Sequence, residues 1–205
     1  MKGIIGKKVG MTSMFLEDGT NVPCTIIEAG PCVVTQIKTQ DIDGYNAVQL
    51  GFGERKPKNT PKGLMGHFQK SGTAPKARVT EIRDFELETK EGETISVGIF
   101  SEGDTVDVIG RTKGKGFQGV VKRHCFSGVG SRTHGQHDRE RAPGSMGGSS
   151  YPSRVFPGMR MAGQTGNKRA HMRNLKVMKV IEDKNLLVVS GAVPGPKGGI
   201  VIVQS

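Results

Sequence analysis

Between positions 111 and 173 there is no Leu and no Ile, and among Leu, Ile, Val and Phe only four Val (Val120, Val121, Val129, Val155) and three Phe (Phe117, Phe126, Phe156) occur. These seven core formers make up roughly 11% of the tract, under the ~20% below which a charged segment is expected to lack a core of its own. The same tract carries 13 Lys/Arg against two acids, Asp138 and Glu140, and holds 12 of the chain's 31 Gly and four of its five His. Any fold must therefore accommodate a central stretch that packs poorly on itself and repels itself. The whole chain has 30 Lys/Arg and 19 Asp/Glu over 205 residues, a net charge of +11. That entire excess lies in the tract, and the flanks, with 17 charges of each sign, are neutral.

The flanks suffice for one ordinary core, since a domain of about that size buries roughly 68–70% of its unfolded surface. Short runs rich in β-branched residues at 3–9, 11–16, 22–28, 32–38 and 47–52 are separated by Asp18-Gly19, Gly30-Pro31 and Asp43-Gly44. This spacing predicts a mainly β barrel or sandwich. Charges and prolines at 53–62 exclude a central strand, 66–70 reads as a short helical turn, and strand character returns at 78–87, 94–100 and 105–109. Beyond the tract, 175–181 and 186–190 around Glu182-Asp183-Lys184-Asn185 read as a hairpin, and 200–203 as a last strand. The tract is flanked by strands on both sides, so it leaves the core and returns to it. An excursion of that length is far outside ordinary loops, and such stretches are functional or disordered.

Other classes are excluded by pattern. The longest apolar runs, 186–189 and 200–203, fall far short of the ~20 residues of a membrane-spanning helix, and residues 1–20 hold no signal-peptide core. Three cysteines, Cys24, Cys32 and Cys125, form no paired framework and fit a reducing cytosol. Gly114-Lys115-Gly116-Phe117-Gln118-Gly119 spells G-x-G-x-x-G, but Val120-Val121 disfavours the helix that a dinucleotide site needs there, and no βαβ unit surrounds it. No kinase motifs follow, and neither Walker A nor G-x-S-x-G occurs. A metal site from His124, Cys125, His134 and His137 lacks the paired short spacings of zinc frameworks. Asp138 and Glu140 read as neutralising neighbouring arginines rather than as a catalytic pair. No cofactor, no metal and no enzymatic activity are expected.

What remains is cationic and spread along the tract, with Phe117, Phe126, Tyr151 and Phe156 interleaved. Arginine offers bidentate phosphate contacts and aromatic rings offer stacking platforms for unpaired bases. A solvated surface mixes both signs, whereas 13 to 2 calls for a polyanion. RNA is favoured over duplex DNA because the tract has no helical element for a major groove.

The wording of the tract then resembles a known family. KGKGFQGVVKR (113–123), THG (133–135), RAPGS (141–145) and PSRVFPGMRMAGQTGN (152–167), with GIIGKKVGMTSMF (3–15) and NLLVVSGAVPGPKGG (185–199) at the ends, are similar to the universal family of ribosomal protein three of the large subunit, in its bacterial form. The resemblance spans essentially the whole chain. It implies a translation-protein-type β-barrel (1–53, 91–112 and 174–205), a small inserted α+β element (54–90), and a long irregular basic extension (113–173). It further implies a cytoplasmic protein of the ribosome whose partners are large-subunit rRNA and neighbouring ribosomal proteins, with no membrane and no DNA. The barrel would dock on rRNA and help nucleate subunit assembly while the extension approaches the peptidyl transferase centre. Carried over by position, Lys113, Lys115, Lys122, Arg123, His124, His134, His137, Arg139, Arg141, Ser145, Arg154, Phe156, Arg160, Gln164, Lys168 and Arg169 are the expected rRNA-binding residues. Some members bear a methylated glutamine after the Pro-Gly-Ser turn; residues 144–151 read GSMGGSSY and offer none. The alternatives are a nucleotide-dependent enzyme using GKGFQG, and a free RNA chaperone or translation factor.

Overall fold

Ile4 and Ile5 are successive residues of an extended strand, so their side chains leave opposite faces, and both are fully buried. That strand therefore has cover on both sides, which a single curled sheet cannot supply. The computed structural model, which describes residues 1–86, 89–132 and 134–205, shows how. In chain order its elements are β1 (Gly3–Phe15), β2 (Asn21–Ala29), β3 (Cys32–Lys38), α1 (Gln40–Asp43), β4 (Ala47–Glu54), α2 (Lys62–Lys70), β5 (Lys76–Arg83), β6 (Thr94–Ile95), β7 (Thr105–Arg111), β8 (Gly116–Gln118), α3 (Val120–His124), β9 (Gly163–Thr165), β10 (Arg169–Ile181), β11 (Leu186–Ser190) and β12 (Ile200–Gln204).

The protein is mainly β. Six strands, in the order β1-β12-β7-β10-β11-β2, close into an antiparallel barrel when β2 pairs back onto β1. A second sheet, β5-β4-β3-β6, is also antiparallel. Ile5, Ile27, Val106, Leu187 and Val203 from the barrel and Val34, Leu50 and Ile82 from the second sheet belong to one buried cluster. At about 25 cal/mol per Å² of apolar surface removed from water, this shared core is the main stabilising term. Gly3 and Gly6 on β1 allow the close packing: a Cβ would lie 2.5 Å from Ile82 Cδ1 at Gly3 and 2.7 Å from Ile27 Cγ2 at Gly6.

Several expectations are corrected. The strands at 32–38 and 47–52 form, but in the second sheet rather than the barrel; the two-residue period shows which faces are buried, not which sheet a strand joins. The break expected at Gly10 is a shift of register between Lys8 and Gly10 inside one long strand. The turn expected at 66–70 is a nine-residue helix, α2, that Pro61 precedes and Phe68 anchors to the core. The run 94–100 holds a two-residue strand followed by a 3-10 turn, and the end of the strand expected at 78–87 falls on Leu87, outside the described residues. The hairpin of β10 and β11 forms as read, with Asn185 in the left-handed conformation closing its turn. Cys24 and Cys32 are buried free thiols, and burial pushes the Cys32 thiol up to about 12.

On the second sheet, Lys38 Nζ at the end of β3 donates to Tyr45 Oη at 2.7 Å and lies 3.0 Å from Glu81 Oε1 of β5, while the Tyr45 hydroxyl donates to Glu81 Oε2 at 2.8 Å. These donors, Lys38 foremost, hold the Glu81 carboxyl below the usual range. A carboxylate with a depressed folded pKa adds stability that is present above its unfolded pKa, about 4.3, and is lost as pH falls through the folded value. Glu81→Gln should therefore lower the melting midpoint at pH 7 and lower it less at pH 3.5. A gap between the two proteins that is constant from pH 7 to 3.5 would contradict this linkage.

Candidate nucleic-acid interface

The basic tract is a structural unit of its own: the chain divides into one body of Met1–Thr112 with Arg169–Ser205 and a second of Lys113–Lys168. The expected boundary at 173 moves to 168, because Arg169 to Met172 pair with β7 residues Arg111 to Val108. The second unit starts and ends on the ladder β8–β9, with Gly116 opposite Thr165 and Phe117 opposite Gln164. Lys115 N–H donates to Thr165 O at 2.9 Å. Beside it Gly166 has φ +72°, and a Cβ there would lie 2.1 Å from Lys113 O, so only glycine fits this close approach of two backbones.

A helix does follow the third glycine of GKGFQG, contrary to the expectation from Val120-Val121. The β-branched penalty is only a few tenths of a kcal/mol per residue, and burial of Val120 outweighs it at roughly 1.5–3 kcal/mol. The five-residue α3 begins after extended Gly119 and ends at Cys125 in the left-handed conformation. The strand before it, β8, pairs antiparallel with β9, so the surrounding geometry is not a dinucleotide-binding βαβ unit.

Val120 is the only buried hydrophobic residue among the described residues of 113–168. Polar and backbone contacts hold the rest. Arg123 Nη1 donates to Met161 O at 2.6 Å, and His124 Nε2 lies 3.1 Å from the same oxygen. Gly163 makes room for this clamp, since a Cβ there would sit 2.6 Å from Arg123 Nη1. Farther along, Val129 N–H donates to Glu140 O at 3.3 Å, and Gly128, at φ +69°, presses its Cα face against the same oxygen.

Of the expected binding residues, Arg123 and His124 are thus half-buried and turned inward, while the other fourteen are exposed. Ser145 Oγ accepts a hydrogen bond from Gly147 N–H at 3.2 Å. Arg154 stacks on the Phe156 ring, 5.3 Å from its centroid, which presents a flat cation with an aromatic face beside it. Arg169 belongs to the barrel strand β10 rather than to the basic unit. Phe117 is 74% exposed and Tyr151 90%, values that water alone does not favour and base stacking would use. A cleft of about 560 Å³ lined by Phe126, Val129, Gln136 and Arg139 has room for an unpaired base. Glu140 lies 3.8 Å from His137 Nδ1, so its pairing is with histidine rather than with the neighbouring arginines as expected. Thr133 of the THG motif lies outside the described residues. Among the described residues no three of His, Cys, Asp and Glu group as metal ligands, and no helix is long and apolar enough to cross a membrane.

A unit with one buried hydrophobe is held near the low-stability end of the molecule. In the free protein, amides of 125–132 and 134–162 should exchange with solvent orders of magnitude faster than those of β7, β10 and β12. Strong protection throughout that stretch without a ligand would contradict this.

Sequence reasoning missed two things here. The glycines that set the backbone approaches, Gly128, Gly163 and Gly166, carry no local signal because the atoms they admit are distant in sequence. The second is a charge cluster in the body that was tallied as neutral, and a windowed count would have found it: residues 55–78 hold seven Lys/Arg and no acid.

A β-barrel body carrying a separate unit of ten Lys/Arg, two acids and almost no core is the design of a nucleic-acid-binding protein rather than of an enzyme with a closed active site. Residues 64–186 match the model of the ribosomal protein L3 family. Over 200 residues the chain is 55% identical to the large ribosomal subunit protein uL3 of Salinibacter ruber (strain DSM 13855 / M31), an alignment covering 97% of this chain and 96% of that protein. The chain belongs to the ribosomal protein L3 family.

Proposed function

We propose that the chain is a structural constituent of the large ribosomal subunit, in the cytoplasmic ribosome, that binds large-subunit rRNA directly and is not an enzyme. The observation that carries this is the exposed cationic surface of Lys113–Lys168, in a chain of this family. The barrel, of the translation-protein type, docks as a rigid body and helps nucleate subunit assembly. The basic unit runs toward the peptidyl transferase centre, where catalysis belongs to RNA. Lys113, Lys115, Lys122, Arg139, Arg141, Arg154, Arg160, Lys168 and Arg169 neutralise phosphates, and Phe156 with Arg154 stacks on a base. His134, His137, Ser145 and Gln164 donate to or accept from RNA groups, and Arg123 and His124 keep the unit in shape. Ordering the unit on RNA costs conformational entropy, which phosphate contacts and counterion release offset. Neighbouring ribosomal proteins complete the environment.

The test is competition binding of the full chain to large-subunit rRNA, small-subunit rRNA and duplex DNA across a salt series. Large-subunit rRNA should win, with log K falling against log salt at a slope of roughly −6 or steeper, since the basic unit alone supplies about eight phosphate contacts. Equal affinity for all three polyanions would overturn the reading. A saturable rise in melting midpoint with ATP or NAD would revive the nucleotide alternative, which the antiparallel setting of GKGFQG does not support.

A further inference from the structure

Outside the basic unit, residues 55–78 hold seven Lys/Arg and no Asp or Glu. They run from the end of β4 through α2 into β5, an edge strand of the second sheet. Arg55, Lys56, Lys58, Lys62, Lys70 and Arg78 are exposed. The fold gathers the two ends of this run: Arg55 N–H donates to Pro75 O at 3.0 Å, and Phe52 pairs with Arg78. Glu54, across the ladder from Lys76, is the acid next to the run in sequence, and Gly92, between Glu91 and Glu93, packs against Ser71; no described ion pair within 4.0 Å involves any of these cations. A solvated segment mixes signs, and this run does not.

Helix α2 adds a second, independent observation. Its inner face is fixed by buried Phe68 and by His67, whose Nε2 lies 2.7 Å from Gln49 Oε1. Its outer face carries Lys62, Gly63, Gly66 and Lys70, all exposed. Glycine is the poorest helix former after proline, and close packing within the protein is the usual reason to tolerate it. Neither glycine has that reason here: a Cβ added at Gly63 or Gly66 meets nothing within 4 Å. A helix face bare of side chains at i and i+3, with an ammonium group at either end, is shaped for the close approach of a chain of phosphates. Glycine admits the backbone and lysine neutralises it.

We propose that the outer face of α2, with the flanking cations Lys58 and Arg78, is a second rRNA-docking surface that seats a sugar–phosphate backbone against Gly63 and Gly66. The proposal rests on the reading of the chain as an rRNA-binding protein. It gives the barrel-containing body, already read as docking on rRNA, a named contact surface of its own.

The test uses the full chain and large-subunit rRNA. The variant K58Q/K62Q/K70Q/R78Q should fold with an unchanged circular-dichroism spectrum, bind roughly 10-fold or more weakly near physiological salt, and lose about 3 from the salt slope, at 0.7–0.9 per phosphate contact. The variant G63A/G66A should melt at a higher temperature than wild type, because alanine favours helix, yet bind more weakly. A purely structural role cannot give that opposition. An unchanged slope in the first variant overturns the surface, and unchanged affinity in the second overturns the close seat on α2. Loss of incorporation into subunits with intact rRNA binding would point to an acidic protein neighbour and overturn the RNA assignment. Failure of the wild type itself to prefer large-subunit rRNA defeats the underlying reading instead, so the two failures are distinguishable.

Discussion

A chain in which Lys113–Lys168 is replaced by a short hairpin turn should fold cooperatively, melt no lower than the full protein, and lose most of its affinity for large-subunit rRNA. Folding is expected because Arg111 and Arg169 are already paired partners on β7 and β10, so a turn of two to four residues joins them without strain. The excised unit contributes a single buried hydrophobe, Val120, and the barrel loses none of its own core. Shortening the connection also lowers the entropic cost of closing it, by about 0.6 kcal/mol per halving of length, which favours a small rise in midpoint. Binding is a different matter. Ten of the chain's 30 Lys/Arg leave with the unit, and of these Arg123 is committed to holding the unit together. Losing about eight phosphate contacts should flatten the salt slope by roughly 6 and weaken binding at physiological salt by about 10³-fold or more. Affinity and slope equal to those of the full chain would mean that the binding surface has been put in the wrong place.

Leu187→Ala separates the other half of the molecule. Leu187 is fully buried on β11, opposite Ile27 of β2 and Val180 of β10, inside the barrel wall. Truncation to alanine removes buried methyl groups and leaves a cavity in a rigid sheet, costing about 2–5 kcal/mol, a large share of the ~5–15 kcal/mol by which a domain is stable. At ~2–4 °C per kcal/mol for a protein of this size, the midpoint should fall by roughly 5–15 °C. The folded fraction should bind rRNA as wild type does, because no phosphate contact is touched. A midpoint within a degree of wild type would show that the barrel core is not where the stability resides.

The two halves were unequally legible in the sequence. Where a local signal carries a physical necessity, the reading held: the turn 182–185 gives the hairpin, and the lack of Leu and Ile from 111 to 173 marks a unit that cannot build a core. The boundary slips from 173 to 168 because the segment Arg169 to Met172 pairs with β7 through its backbone whatever its side chains are. Strands β3 and β4 are legible as strands but not as members of the second sheet, since alternation reports burial and both sheets bury into one core. Propensity disfavours the helix α3, but that term is too small to resist the burial of Val120. At the candidate interface, the exposed cations were readable, whereas the inward turn of Arg123 and His124 depends on Met161 and Gly163, which are far away in sequence. Charge summed over the whole of both flanks concealed the acid-free run at 55–78 by averaging it against the acids of other segments.

The central claim is that this chain is a resident of the large subunit held there by its basic unit. The direct measurement is recovery of tagged full-length chain, and of the chain lacking Lys113–Lys168, in large subunits purified from cells through a high-salt wash. The account predicts stoichiometric full-length chain in the washed subunits and marked depletion of the shortened one. Full-length chain that washes off, or that sediments away from the large subunit, would contradict it.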